Sequence, residues 1–346
     1  KPSFLKAFSL IVISFKDIVS RRLIAAPNNT TGKRTLTDQY NNNLMLMDAK
    51  SIHTLELPLV LEQLADRCDF SASSELALQL QPTTDLAEAQ RRQRETAAAL
   101  LFVENHPQAS IGAARDVRAS AKYAARAAAL LPAELLEIRN TLLATRSLKS
   151  AILGTGEQFE PLYAYAENMH DLPELEKAIG RALDERGEVL DTASTQLAEI
   201  RRELTDTHHR LLQKLERLIR NPRNAEFLQE ALITQRADRY VVPLKANFKG
   251  RIRGIVHDQS ASGATLFIEP LATLELNNRW RELQLAESKE VERVLRALSG
   301  QVGATADEIT CSVEALAALD LSFARARYAE ALHATEPELL QVPAAS

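Results

Sequence analysis

Residues 239–270 decide how this chain reads. They open with Arg239-Tyr-Val-Val-Pro-Leu-Lys245, continue through Arg251-Ile-Arg-Gly-Ile-Val256 and close with Ala264-Thr-Leu-Phe-Ile-Glu269. These runs are rich in β-branched residues, and Gly250 and Ser262-Gly263 stand between them as turns, so the segment predicts three short antiparallel strands. In the second run, alternation puts Arg251 and Arg253 on one face and Ile252 and Val256 on the other. Pro243 has no N–H to give a ladder, which predicts an edge position for its strand.

Both flanks are helical. Upstream, Leu197, Ile200, Leu204, Leu211, Leu215 and Leu218 recur at three- and four-residue spacing, with His208 filling the gap. That is a heptad seam. A single helix from Asp191 to Arg220 would be ~45 Å long at ~1.5 Å per residue. Downstream, Thr273 to Val302 carries Trp280, Leu283, Val291, Val294, Leu298 and Val302 at helical spacing. Two long helices around a short β insert predict an antiparallel coiled-coil lever with a β clamp at its tip. An ordinary helix hairpin is the plainer alternative.

Composition agrees with a mainly α protein. Of 346 residues, 45% are hydrophobic and 25% charged, while aromatics make up only 5%. Leu, Ala, Arg and Glu dominate, and all four favour helix. The net charge of −4 hides an asymmetry: residues 201–256 hold thirteen Lys and Arg against six Asp and Glu, a local +7 that leaves −11 for the remainder. A basic stretch on an acidic body suits a polyanion, but a solvated, salt-bridged helix face has the same charge. The two cysteines, Cys68 and Cys311, show no metal-site spacing and fit reduced thiols in the cytoplasm.

The N-terminal 1–46 reads as an extension. Phe8–Phe15 is a largely apolar run of eight residues, well short of the ~20 a membrane span requires. Asn28 to Asn43 is polar and has the composition of a disordered segment. Met45 or Met47, just before the first patterned helix, is the expected start. Pro27-Asn28-Asn29-Thr30-Thr31-Gly32-Lys33 is similar to a phosphate-binding loop, but Pro27 replaces its first glycine and Arg34 follows the lysine. Residues 47–187 read as a helical core domain. Asp85 caps one helix, His106-Pro107 ends it, Pro132 and Pro173 start two others, and Gly154 and Gly156 mark a break. Phe102-Val103-Glu104 resembles a mismatch-probing wedge, yet Phe102 lies on an apolar helical stripe and reads as core.

The insert carries a family resemblance. Ile233 to Lys245, Gly254-Ile-Val-His-Asp-Gln-Ser-Ala-Ser-Gly-Ala-Thr-Leu-Phe-Ile-Glu-Pro270 and Asn277-Asn278 resemble the clamp region of the second bacterial branch of MutS proteins. Leu190 to Ser194 with Ile200-Arg201 resembles the start of that family's lever, and Leu319 to Tyr328 its return to the core. The likeness covers roughly 48–340. It implies an ascending lever helix over 188–230, the basic clamp over 231–270, a descending helix and return over 271–334, and a tail over 335–346 leading towards an ATPase domain. Homodimeric ATPases are implied, with ATP and magnesium in that further domain and often an Smr nuclease domain. The implied targets are branched or mismatched DNA, in suppression of recombination, and collided ribosomes with their rRNA. No ATP hydrolysis is expected of these residues alone.

The chemistry-bearing side chains support binding over catalysis. His257, Asp258, Ser260 and Ser262 lie close in sequence, but neighbours on a strand point apart, and Asp258 and Ser260 suit a turn. His208 and His209 are not at the i, i+4 spacing of a helical metal pair. The candidate nucleic-acid contacts are Arg236, Arg239, Lys245, Lys249, Arg251 and Arg253, because phosphate contacts come from such groups without reading sequence. The competing expectation is a coiled-coil dimerisation module whose basic strip meets an acidic protein.

Overall fold

The computed structural model describes residues 49–108, 111–154 and 157–339. The extension, its Pro27–Lys33 run, the expected start at Met45 or Met47, and Gly156 lie outside them. The protein is mainly α, with one four-stranded antiparallel sheet. Its described residues divide into two units: one from those up to 128, within 134–176 and from 300 onward, the other from 129–133 and 177–299.

The first unit is built around its last helix. α1 (Ala49–Thr54), α2 (Leu57–Ala65), α3 (Ser71–Leu78), α4 (Leu86–Asn105), α5 (Arg118–Ala125), α6 (Pro132–Leu153) and α7 (Glu160–Glu167) follow one another, and most of α8 (Pro173–Ala182) belongs to the second unit. α12 (Ala306–Ala331) packs against α2, α3, α4, α5 and α7. It is apolar nearly all round, the signature of a buried helix, and Ile309, Val313, Leu316, Leu319, Phe323 and Tyr328 are all buried. Asp85 caps α4 as expected, its Oδ1 accepting from the Ala87 N–H at 2.9 Å. The buried Asp320 tethers α3 to α12. Its Oδ2 accepts the N–H groups of Asp69 and Phe70 at 3.0 and 3.1 Å and the Ser73 hydroxyl, and Arg327 donates to Oδ1 at 2.9 Å. Cys68 and Cys311 are free, and burial pushes the Cys68 thiol up to about 11.

Phe102 is core. Its ring stacks on Phe323 at 5.7 Å and meets Phe159 edge-on at 5.6 Å, so it cannot serve as an exposed wedge.

The second unit holds the two long helices and the sheet. α9 (Thr195–Ile219) starts later than the expected Asp191, because Ser194 is extended and caps it, accepting from the Leu197 N–H at 2.9 Å. α9 runs antiparallel to α11 (Leu274–Ala304), as the cross-pairs Ser194–Glu290, Arg201–Glu287 and Glu203–Arg279 show. Leu197, Leu211 and Leu215 of α9 and Trp280, Leu283, Val294 and Leu298 of α11 are buried, and Leu211 and Leu215 share a cluster with Trp280. A short α10 (Pro222–Ala225) follows α9.

Then come β1 (Thr234–Arg236), β2 (Arg239–Lys245), β3 (Gly254–Gln259) and β4 (Thr265–Pro270), in the order β1-β2-β4-β3. Three expectations need correction. β1 was not expected; Ala237 and Asp238 turn it into β2, both at positive φ (50° and 56°), which matches the twist of a two-residue hairpin. β2 is central, not an edge. Pro243 fits because its carbonyl accepts from the Gln229 N–H at 3.0 Å. Its missing N–H therefore faces that side, which β1 does not reach, while its neighbours serve β4. Finally, Arg251–Arg253 is a turn, and the strand begins only at Gly254. A side chain at Gly254 would come within 2.4 Å of the Glu269 carbonyl, so this close approach needs glycine. Ile252 is buried as expected, but Val256 (41% exposed) is not.

Two outcomes are expected. Phe102→Ala should cost about 3–5 kcal/mol in urea denaturation, the loss of a large buried ring; unchanged stability would contradict a core role. Arg293 and Ser194 hold Glu290 down at about 2, against the ordinary 4.5. A depressed carboxylate stabilises the fold above its unfolded value and loses that contribution as pH falls towards its folded one. The melting temperature of Glu290→Gln should therefore lie furthest below wild type above pH 4.5 and converge on it as pH falls towards 2.

Candidate nucleic-acid interface

The sheet is fixed to the arm through one face. Val242 and Leu244 of β2 and Leu266 and Ile268 of β4 pack with Leu211, Leu215, Leu228, Ile252 and Trp280. Pairing of β2 with β4 begins at Val242↔Ile268. Beyond that point the fully buried Asn277 of α11 takes over: its Oδ1 accepts from the Tyr240 N–H at 3.0 Å and its Nδ2 donates to the Tyr240 carbonyl at 3.1 Å. His208, the polar residue in the seam, contacts the Tyr240 hydroxyl at 2.6 Å and stacks on Trp280 at 5.9 Å.

The opposite face is polar and centres on Glu269, which is 0% exposed. Arg239 donates to both its oxygens, at 2.9 and 3.2 Å, and to Asn278 Oδ1 at 2.8 Å. His257 Nε2 meets Glu269 Oε2 at 2.6 Å. The register of β3 against β4 shifts between Val256 and Asp258, so His257 sits in a bulge. Beside this cluster, Arg236 lies over the Phe267 ring at 4.4 Å and pairs with Asp258 at 3.2 Å. Asp258 and Ser260 also bond backbone as expected: Asp258 Oδ1 accepts from the Gln259 N–H and Ser260 Oγ from the Thr265 N–H.

The six candidate cations therefore divide. Arg239 is bound into the sheet by a buried carboxylate. Arg236 is partly neutralised by Asp258, and Lys245 Nζ donates to the Glu226 carbonyl at 3.0 Å. Lys249, Arg251 and Arg253 are exposed, and their side chains have no hydrogen bond or ion pair among the described residues. Gly250, at φ 88°, turns the chain between them, and the buried Ile252 anchors it. The Arg251 N–H bonds the Phe248 carbonyl at 3.0 Å and the Leu271 N–H the Arg253 carbonyl at 2.9 Å. The result is a fixed turn with three free positive ends, suited to phosphate oxygens. Glu269 and Asn277 were not anticipated as the organising groups. An acid in the apolar run Leu-Phe-Ile-Glu269 was the available signal.

Among the described residues no three His, Cys, Asp or Glu side chains group to hold a metal. Nor is any helix among them long and apolar enough to cross a membrane.

No family model matches the chain. Curated relatives do. It is 43% identical over 298 residues to the endonuclease MutS2 of Thermomicrobium roseum, covering 85% of this chain and 37% of that protein. To the endonuclease MutS2 of a Geobacillus species it is 42% identical over 294 residues, 84% of the chain and 38% of the relative. The Pelotomaculum thermopropionicum endonuclease MutS2 is 42% identical over 293 residues, 85% and 37%. The chain thus spans little more than a third of the length of these relatives.

Arg239→Ala should destabilise the second unit by about 2–3 kcal/mol, because it strips a buried carboxylate of one partner, discounted for the partial exposure of Arg239. Trp280, the only tryptophan in the chain, packs against the sheet and reports this by fluorescence in a urea titration. A wild-type midpoint with weakened nucleic-acid binding would instead make Arg239 a contact.

Proposed function

Because the chain belongs to the MutS2 family, we propose that its sheet and 249–253 turn form a clamp that grips nucleic-acid backbone without reading sequence. The observation that carries this is the turn: Lys249, Arg251 and Arg253, exposed and unpaired, on a loop pinned by buried Ile252. The relatives are named endonucleases, which supports a nucleic-acid partner. Branched or mismatched DNA is the target proposed first. The RNA of collided ribosomes shares the same phosphate chemistry and is the second.

Two further proposals concern the whole protein. ATP hydrolysis belongs to a further domain of the kind the family carries, and the α9–α11 arm transmits clamp position to it. The protein works as a homodimer. Leu211 and Leu215 of α9 speak against reading the arm as a dimerisation module, since the sheet and Trp280 of the same chain already cover them.

Reversal of three charges, Lys249→Glu with Arg251→Glu and Arg253→Glu, tests the clamp. Filter binding to duplex DNA across a salt series should show at least a tenfold loss, with the log–log salt slope smaller by about 2–3, since each phosphate contact contributes about 0.9. Circular dichroism should be unchanged. Wild-type affinity in the reversed protein would overturn the clamp. A ribosomal RNA probe that binds more tightly than DNA would exchange the target.

A further inference from the structure

Along α9 the charge changes sign. Its first half sets Glu199, Glu203 and Asp206 against Arg201 and Arg202, a net −1. Beyond His208 the cations are Arg210, Lys214, Arg217 and, at the cap, Arg220, with Glu216 the one acid of that half. Arg210, Gln213, Lys214 and Arg217 recur at three and four residues along α9, so they share a face. That face lies away from the seam residues Leu204, Leu211, Leu215 and Leu218. Arg210, Gln213, Lys214 and Arg217 are all exposed. Arg210 and Arg217 make no hydrogen bond or ion pair among the described residues, whereas Lys214 bonds the Ala272 carbonyl at 3.3 Å and Arg220 lies 3.7 Å from Glu216. A shallow surface hollow sits at the end of this stripe, lined by Gln213, Glu216, Arg217, Arg220 and Asn221.

The chain leads directly from the stripe to the clamp. Exposed Arg223 follows in α10, and the chain then runs along β2: the Lys245 N–H bonds the Phe227 carbonyl at 3.0 Å, and the Phe227 and Phe248 rings pack at 5.2 Å. Lys249 is the next residue. Favourable interaction with the helix dipole explains cations in the last turn, but it does not reach Arg210, about 15 Å away at the ~1.5 Å rise of a helix.

We infer that this outer face of α9 is a second backbone-binding surface, which extends the grip of the 249–253 turn along the arm and takes duplex DNA. The inference rests on the clamp reading above. Charge complementarity names a polyanion, and the side chains name a duplex. Single strands are held by aromatic platforms on which bases stack. The stripe has no aromatic residue, Phe227 and Phe248 pack on each other, and Tyr240 and Trp280 pack with His208.

Fluorescence anisotropy with a short labelled DNA duplex tests this on the whole chain. Arg210→Glu with Arg217→Glu should weaken binding about tenfold and lower the salt slope by about 2. Glu216→Gln, which removes the acid from the hollow, should tighten binding about twofold at low salt, a gain that no structural role for Glu216 would give. Arg210→Ala with Arg217→Ala should lose affinity with an unchanged melting temperature. If the stripe variants keep wild-type affinity and slope while the Lys249, Arg251 and Arg253 reversal weakens binding, the second surface is overturned and the clamp stands. If both sets are silent, the clamp falls with it. Equal stripe dependence with a single-stranded probe, or tighter binding of an RNA duplex, overturns the choice of occupant.

Discussion

The second unit depends on one buried charge. Glu269 is removed from water on β4 and held by Arg239 from β2 and His257 from β3, while Asn278 Oδ1 of α11 accepts a further hydrogen bond from Arg239. A buried carboxylate is costly unless its lone pairs are met, so this cluster tolerates one register only. A slip of one residue would turn Glu269 towards Leu211 and Trp280 and bring apolar side chains to the outer face. The carboxylate thus fixes three strands against one another, and Asn277 fixes the sheet to the helix beside it. The 249–253 turn inherits its position from that frame, through Ile252 in the core and the Arg253 carbonyl bonded to Leu271.

Arginine does two jobs in this unit, and the distinction is set by what lies within reach. Arg201, Arg239 and Arg279 each find a carboxylate across a helix or strand boundary and become cross-links. Arg251 and Arg253 leave the core on a turn whose neighbours are glycine, isoleucine and lysine, so their charge remains available. The same side chain at spacings of a few residues is structural in one place and free in another.

This explains which features were legible in the sequence. Helices were, because periodicity and caps are local: Asp85, Pro132 and Pro173 mark real starts, and β2 runs over the quoted 239–245. The chain at 251–256 misled because Arg-Ile-Arg alternates like a strand, while the steric demand that starts β3 at Gly254 comes from Glu269, fifteen residues on. β1 is three residues long and has almost no pattern to read. Pro243 argued for an edge, but the rule concerns one missing donor, and a central strand can turn that donor towards a side where the neighbouring strand has ended. The six cations looked equivalent because the partner that withdraws Arg239 lies thirty residues away in sequence.

The charge asymmetry of the chain takes its meaning from these pairings. In the first half of α9, Arg201 pairs with Glu287 and Glu203 with Arg279 of α11. Such cross-links contribute little field at a distance, since opposite charges lie side by side. Beyond His208 the cross-pairing lapses, and Arg210, Arg217, Lys249, Arg251 and Arg253 are left without an ion pair among the described residues. Free charge on a body of net negative charge gives an approaching polyanion one attractive region and repulsion elsewhere. Orientation on encounter then follows from where the ion pairs stop, and the buried Glu269 cluster, by consuming Arg239 internally, keeps the sheet rigid enough for that charge to remain in place.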